Sequence, residues 1–259
     1  RRQRQMCIRD RLLWLQWWRE GLHVLRPMLP QLIVLGLIGN VAYQPLFVYG
    51  LAQTEASQAS MFVATTPLWI LVLARFTGHD KFSGRVIAGV LMGLVGVILL
   101  LWESVNSVGP EGRFWVGNLP LLGATVSWAI YTVYSQPLLL KLQPLALTSA
   151  TMAAGALPLV LVGLPEIVSI RVNEVSFASW LGLLYSSLLA LVFGYFFWAY
   201  AIHTIGSTRT SLYVNLVPVI ATVSAWVWLG ERLSPLQLLG AIAVITGITL
   251  SRLNLRSAQ

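Results

Sequence analysis

Residues 208–229 read TRTSLYVNLVPVIATVSAWVWL, an apolar run that carries one arginine near its start and one proline, Pro218, near its middle. The hydrocarbon core of a bilayer is about 30 Å thick and needs about 20 apolar residues per helix, so this run is long enough to cross a membrane. The run is apolar on every side, whereas a strand of a membrane barrel shows about ten residues of alternating polarity. The stretch therefore predicts a transmembrane helix.

The composition extends this prediction to the whole chain. Of the 259 residues, 57% are hydrophobic and only 10% are charged, and the mean hydropathy is +0.75. A soluble domain carries about 25% charged residues, so lipid must surround most of this protein. We expect an all-α polytopic membrane protein. The same window predicts eight transmembrane helices, at 31–52, 57–76, 86–102, 117–138, 146–165, 178–202, 208–229 and 235–251.

Several classes of function are disfavoured by the residue types present. The single cysteine, Cys7, is too few for a disulfide framework or a cysteine metal site. The net charge is +8, but the basic residues form short clusters between apolar runs, which argues against a nucleic-acid partner. The spans contain no paired carboxylates and no cluster of histidines and acids, so we expect no enzyme activity, no metal and no cofactor. A lipid-modifying enzyme is disfavoured for the same reason.

The distribution of Lys and Arg predicts the orientation in the membrane. Cytoplasmic loops carry an excess of these residues. With residues 1–11 set aside, one side carries nine of them and the other side three, so both termini are predicted to be cytoplasmic, in a bacterial inner membrane. The residues predicted to be cytoplasmic are Arg19, Arg26, Arg75, Lys81, Arg85, Lys141, Arg209, Arg252 and Arg256. Those predicted on the opposite side are Arg113, Arg171 and Arg232.

An internal repeat appears when the chain is shifted against itself by 151 residues. Five predicted helices separate equivalent positions, so the two copies are expected to insert with opposite orientations. Inverted repeats of this kind are typical of alternating-access transporters, although duplicated helices can also serve as a scaffold. The matched pairs include Ser60 and Ser211, Pro67 and Pro218, Gly89 and Gly240, Gly96 and Gly247, and the charged pair Asp80 and Lys81 with Glu231 and Arg232.

Four segments carry a resemblance to a known family: ASMFVATTP at 59–67, SWAIY at 127–131, TSLYVNLVPV at 210–219 and LGERLSPLQ at 229–237. They resemble EamA-type permeases of the drug/metabolite transporter superfamily. The resemblance implies a ten-helix inner-membrane carrier without a cofactor, often an exporter of amino acids, metabolites or drugs. The sequence departs from that pattern because two helices are missing ahead of residue 31, and in the family these help to line the substrate cavity.

The resemblance also predicts how the chain is divided. Residues 5–11, QMCIRDR, resemble a translated transposase mosaic-end adapter, so we expect 1–11 to be non-native and the chain to be N-terminally truncated; the alternative is a natural basic juxtamembrane segment. The expected divisions are 1–11 as this adapter-derived segment, 12–30 as a cytoplasmic or interfacial segment, 31–103 as the last three helices of the first repeat, 104–116 as an extracytoplasmic loop, 117–254 as the five-helix second repeat and 255–259 as a cytoplasmic tail.

No Asp, Glu, Lys or Arg lies deep in a predicted span, so a binding site in the membrane would be neutral. Polar and aromatic residues recur at helical spacing on four spans, which indicates either a cavity or ordinary packing. Pro67 and Pro218 each remove a backbone donor and are expected to kink their helices. The candidate cavity residues are Asn40, Tyr43, Gln44, Trp128, Tyr131, Tyr195, Trp198 and Asn215.

These features together predict a membrane transporter of a small organic solute. The expected partners are that solute and the lipid bilayer, and a homo-oligomer remains open. The alternative is a scaffold that does not transport, or a degenerate fragment of a carrier.

Overall fold

The computed structural model describes residues 26–54, 56–78, 84–106, 114–169, 175–229 and 234–252. Every regular element within these residues is helical. Several predicted segments lie outside the described residues: 1–11, most of 12–30, most of the loop at 104–116, the tail at 255–259 and both charged hairpins, at 80–81 and 231–232.

We number the α-helices α1 to α12 and name the irregular turns between them by their residues. A 3₁₀ turn, Arg26–Met28, precedes the first helix, and the later irregular turns are π at Leu37–Ala42, Ser186–Phe193 and Ala225–Leu229 and 3₁₀ at Tyr213–Asn215. The helices are α1 (Leu29–Gly36), α2 (Tyr43–Ala52), α3 (Ala56–Ala64), α4 (Thr66–Thr77), α5 (Gly84–Asn106), α6 (Phe114–Leu139), α7 (Pro144–Ser169), α8 (Phe177–Tyr185), α9 (Gly194–Ile205), α10 (Ser207–Leu212), α11 (Leu216–Ser224) and α12 (Pro235–Arg252).

Five helical segments among the described residues are long and apolar enough to cross a membrane: Arg26–Ala52, Val116–Leu139, Pro144–Pro165, Phe177–Ile205 and Ser207–Trp228. Three shorter apolar helices, Phe62–Thr77, Gly84–Leu100 and Pro235–Ser251, accompany them. The prediction of an all-α protein with several membrane helices is confirmed. Each of the eight predicted spans overlaps one of these helices, while the number of membrane crossings stays a prediction.

The helices α5 and α12 form a closely packed antiparallel pair. Glycines allow this approach: a Cβ added to Gly96 would lie 2.7 Å from the carbonyl oxygen of Gly240, and one added to Gly89 would lie 2.6 Å from that of Gly247. Without a hydrophobic driving force in lipid, helices associate through such close backbone packing. The pair therefore depends on small residues at the crossing points.

The buried side chains fall into two larger clusters and a smaller one. The first core cluster joins α1, α6, α7 and α9 and includes Leu32, Tyr131, Leu147, Tyr195 and Ile202. The second core cluster joins α3, α5, α10, α11 and α12; it consists of Ala64, Val90, Val97, Leu100, Leu212, Val219, Val244 and Ile248. Many large apolar side chains outside these clusters are exposed, as expected where the surrounding solvent is lipid.

Candidate solute site

Trp128 on α6 lies at the centre of a group of aromatic side chains that we call the aromatic cluster: Tyr43, Trp128, Tyr131, Tyr195 and Trp198. The ring centroid of Trp128 is 4.9 Å from that of Tyr43, 5.2 Å from Tyr131, 5.0 Å from Tyr195 and 5.6 Å from Trp198. The contact with Tyr195 is edge-on, and the contact with Tyr131 is stacked. Three helical segments, α2, α6 and α9, therefore bring these five candidate residues together.

Hydrogen bonds fix the orientation of Tyr195 within the aromatic cluster. Its hydroxyl donates to the carbonyl oxygen of Gly39 at 2.9 Å and accepts from Nε2 of Gln44 at 3.3 Å. Gly39 belongs to the π turn Leu37–Ala42, where the wider turn interrupts the regular backbone ladder. The turn thus presents a carbonyl that the tyrosine on α9 can bind.

The same π turn holds Asn40, which joins the first span to α7. Its Nδ2 donates to the carbonyl oxygens of Gly36 and Thr151, each at 3.1 Å. The hydroxyls of Thr151 and Tyr131 lie 3.4 Å apart. Both N–H donors of the Asn40 amide are therefore used within the protein, so in this conformation its contacts are structural. Four other candidate residues are half-buried: Tyr43, Gln44, Trp128 and Trp198.

Two partners in this network were absent from the sequence prediction. The hydroxyl of Thr132 on α6 accepts a hydrogen bond from Nε1 of Trp198 at 3.0 Å, and the backbone carbonyl oxygen of Thr151 accepts one from Nδ2 of Asn40. Both threonines are buried. Thr151 closes a polar stretch with Thr148 and Ser149 in an otherwise apolar span, and this stretch is a sequence signal for its hydroxyl beside Tyr131. The carbonyl oxygen that binds Asn40 has no signal in the sequence, since every residue carries one.

An apolar cavity of about 220 Å³ adjoins the aromatic cluster. Phe47 connects the two, because its ring stacks on Tyr43 at 5.5 Å and also lines the cavity. The cavity lies between the two segments that carry the repeated prolines. Its lining consists of Phe47, Leu51, Ala59, Ser60, Val63, Ala64, Val214, Val217 and Pro218.

The helices that contain Pro67 and Pro218 are both interrupted close to the prolines. The first breaks at Thr65, between α3 and α4, and the second passes through the 3₁₀ turn Tyr213–Asn215 just before α11. Pro67 cannot donate to the carbonyl oxygen of Val63, and the hydroxyl of Thr66 donates to that oxygen instead, at 2.5 Å. A neighbouring side chain therefore compensates this interruption.

Asn215 is the one candidate that the structure places apart from the others. It is 1% exposed, and its amide lies against Gly93 on α5, where a Cβ added to the glycine would be 2.6 Å from Nδ2. Leu212 and Val219, on either side of it in the chain, belong to the second core cluster. The other seven candidates lie in or beside the aromatic cluster.

The site is uncharged within the part of the chain that the structure describes. The buried polar side chains there are all Asn, Ser or Thr. Among these same residues no group of three or more His, Cys, Asp or Glu side chains comes together. A solute at this site would meet aromatic faces, hydroxyls and the amide of Gln44.

The apolar helices, with an uncharged aromatic cluster between them, define an integral membrane protein. The chain belongs to the EamA-like transporter family, whose profile matches residues 11–102 and 115–253. It is a membrane transporter, and the predicted resemblance is confirmed.

Bacterial transporters are similar to this chain over most of its length. An uncharacterized transporter of Bacillus subtilis (strain 168), YyaM, is 29% identical over 220 residues, which cover 83% of this chain and 70% of that protein. A "probable terminal-alkyne amino-acid exporter" of Streptantibioticus cattleyicolor is 30% identical over 227 residues, 86% of this chain and 72% of that one. A "probable amino-acid metabolite efflux pump" of Escherichia coli (strain K12) is 26% identical over 244 residues, 90% and 80% of the two chains.

A crystal structure shares the fold. It superimposes with a TM-score of 0.70 at 17% sequence identity, over 92% of this chain and 85% of the other.

Proposed function

We propose that this transporter exports a small amphipathic organic solute, such as an amino acid or a metabolite derived from one, by alternating access. The observation that carries the proposal is that Trp128 and six other candidate residues from distant parts of the chain lie together beside an apolar cavity. Two relatives named for amino-acid or amino-acid-metabolite export support the solute class and the direction. The site is the aromatic cluster with Gln44 and the cavity that Phe47 joins to it.

The chemistry of the site suits a solute with one apolar and one polar part. The cavity wall is almost entirely aliphatic or aromatic and would receive the apolar part. The half-buried Tyr43 and Gln44 would bind the polar part through a hydroxyl and an amide. An ammonium group would gain from the aromatic faces, since a cation within about 6 Å of a ring centroid is attracted to it.

Many alternating-access transporters are built from inverted repeats, and three observations support such a repeat here. Gly89 contacts Gly247 while Gly96 contacts Gly240, a pattern that maps onto itself under the 151-residue shift. The hydrogen bond between Gln44 and Tyr195 joins equivalent positions, 151 residues apart. The same shift carries the π turn Leu37–Ala42 onto 188–193, inside the π turn Ser186–Phe193.

The proposal includes the membrane and the orientation. Relatives from bacteria support a bacterial inner membrane, and the excess of basic residues on one side supports cytoplasmic termini. A reporter fused to the C-terminus measures on which side of the membrane that terminus lies, and membrane fractionation of the fusion protein measures which membrane holds it.

The proposal is tested by solute flux in proteoliposomes that contain the purified protein. A panel of labelled amino acids and their N-acyl or alkynyl derivatives is loaded, and release is compared with empty liposomes. We expect Gln44→Leu to raise the KM of a transported solute by a factor of about 2 to 10, because one hydrogen bond to an uncharged group is worth about 0.5–1.5 kcal/mol. Tyr43→Phe tests the hydroxyl in the same way.

Tyr49→Phe is the matched control, because Tyr49 lies on the same helix and is exposed to lipid. It should leave KM unchanged. Flux no greater than in empty liposomes for every solute would favour the scaffold alternative. Flux that is unchanged in Gln44→Leu and Tyr43→Phe would move the solute site away from the aromatic cluster.

A further inference from the structure

The amide of Asn215 is buried without a hydrogen-bond partner. Its side chain is 1% exposed, and neither Nδ2 nor Oδ1 has a partner among the described residues. The surroundings are apolar, since Val90, Val97 and Leu212 are fully buried in the second core cluster. A buried amide that makes no hydrogen bond destabilises the conformation that contains it.

The repeat shows that the fold does not need a polar group at this place. The shift of 151 residues pairs Asn215 with Ala64 and Gly93 with Val244. Ala64 and Val244 are both buried in the second core cluster. One pair across the two repeats therefore consists of an alanine and a valine, where the equivalent pair consists of an asparagine and a glycine.

Asn215 also lies at an irregular point of its helix. It ends the 3₁₀ turn Tyr213–Asn215 between α10 and α11, and Val214 in the same turn lines the apolar cavity. A change in this turn would move the amide relative to α5 and would also change the shape of the cavity wall. The turn Tyr213–Asn215 thus connects the unpartnered amide to the cavity wall.

We infer that Asn215 sets the conformational equilibrium of the transporter. Its amide lacks a partner in the conformation described here and gains one in the opposite conformation of the transport cycle, so it weakens the first state relative to the second. This inference rests on the proposed function only for the existence of a second state. The side chain acts by shifting populations, and it makes no contact with the solute.

The first test replaces Asn215 with leucine, which keeps the branched shape and removes the polar atoms. In nanodiscs without solute, Asn215→Leu should raise Tm by about 3–6 °C. Backbone amide exchange across 211–224 should slow about tenfold, because opening of the turn becomes rarer. In proteoliposomes the maximal export rate should fall about tenfold, while KM stays the same or falls.

A double variant provides the matched control for packing. Asn215→Ala with Gly93→Val recreates the residues of the equivalent pair, Ala64 and Val244, and should reproduce the effects of Asn215→Leu. Gly93→Val alone should lower Tm, because its Cβ would lie 2.6 Å from Nδ2 of Asn215.

Three results would overturn the inference. A lower Tm in Asn215→Leu would mean that the amide has a partner in this conformation. A higher KM with an unchanged maximal rate would make Asn215 a solute ligand, and no change in any measurement would leave it without a role. Tm and amide exchange need no transported solute, so the absence of flux in the wild-type protein would count against the proposed function alone.

Discussion

Replacement of Tyr195 by phenylalanine removes the hydroxyl that joins α9 to the first span. That hydroxyl makes two hydrogen bonds, at 2.9 Å to the carbonyl oxygen of Gly39 and at 3.3 Å from Gln44, and the residue is 5% exposed. Each hydrogen bond contributes a net of about 0.5–1.5 kcal/mol, and pairs within membrane proteins average about 0.6 kcal/mol. We expect Tyr195→Phe to lower the free energy of unfolding by about 1–2 kcal/mol.

A double-mutant cycle separates the two hydrogen bonds. Gln44→Leu removes only the longer one and should cost about 0.6 kcal/mol. Each single substitution removes the hydrogen bond between Gln44 and Tyr195, and the double variant loses it only once. The double variant should therefore be more stable than the sum of the two single effects predicts, by a coupling free energy of about 0.6 kcal/mol. Reversible unfolding of the protein in mixed micelles measures all four free energies.

Tyr200→Phe is the control for this cycle, because Tyr200 lies on α9 as well but is 53% exposed. It should leave the free energy of unfolding within about 0.5 kcal/mol of wild type. The reasoning is wrong if Tyr195→Phe is as stable as this control, or if the two single substitutions are strictly additive.

Two further predictions concern helix packing and the proline interruption. Gly96→Ala should destabilise the protein by about 1–3 kcal/mol, because the new methyl group would meet the Gly240 backbone. The control is Gly182→Ala, whose methyl group would meet nothing within 4 Å and which should be neutral or stabilising. Equal changes in Tm for the two variants would contradict the packing of α5 against α12. Thr66→Val removes the hydroxyl that donates to the Val63 carbonyl in place of Pro67, and it should lower the free energy of unfolding by about 1 kcal/mol. Adding Pro67→Ala restores a backbone N–H donor for that carbonyl and should recover Tm. A double variant with the same low Tm as Thr66→Val would refute the role of Thr66.

The sequence predicted the helices well because their signal is local. Runs such as 144–165 need only length and apolar composition to be recognised, since the bilayer itself fixes the length that a span requires. The candidate site was predicted in part, because helical spacing showed which residues share a face on each span. Spacing could not show that Thr132 and Thr151 supply the partners of Trp198 and Asn40, since those contacts join residues far apart in the chain.

The sequence by itself determined the lipid environment, the helical class, the family and the uncharged character of the site. Only the tertiary structure decided which polar residues meet. It placed Tyr43, Trp128 and Tyr195 within a few ångströms of one another and put Asn215 against Gly93 instead. The physical reason is that helical periodicity fixes a face within one helix, whereas the packing of small and large side chains between helices fixes which faces come into contact.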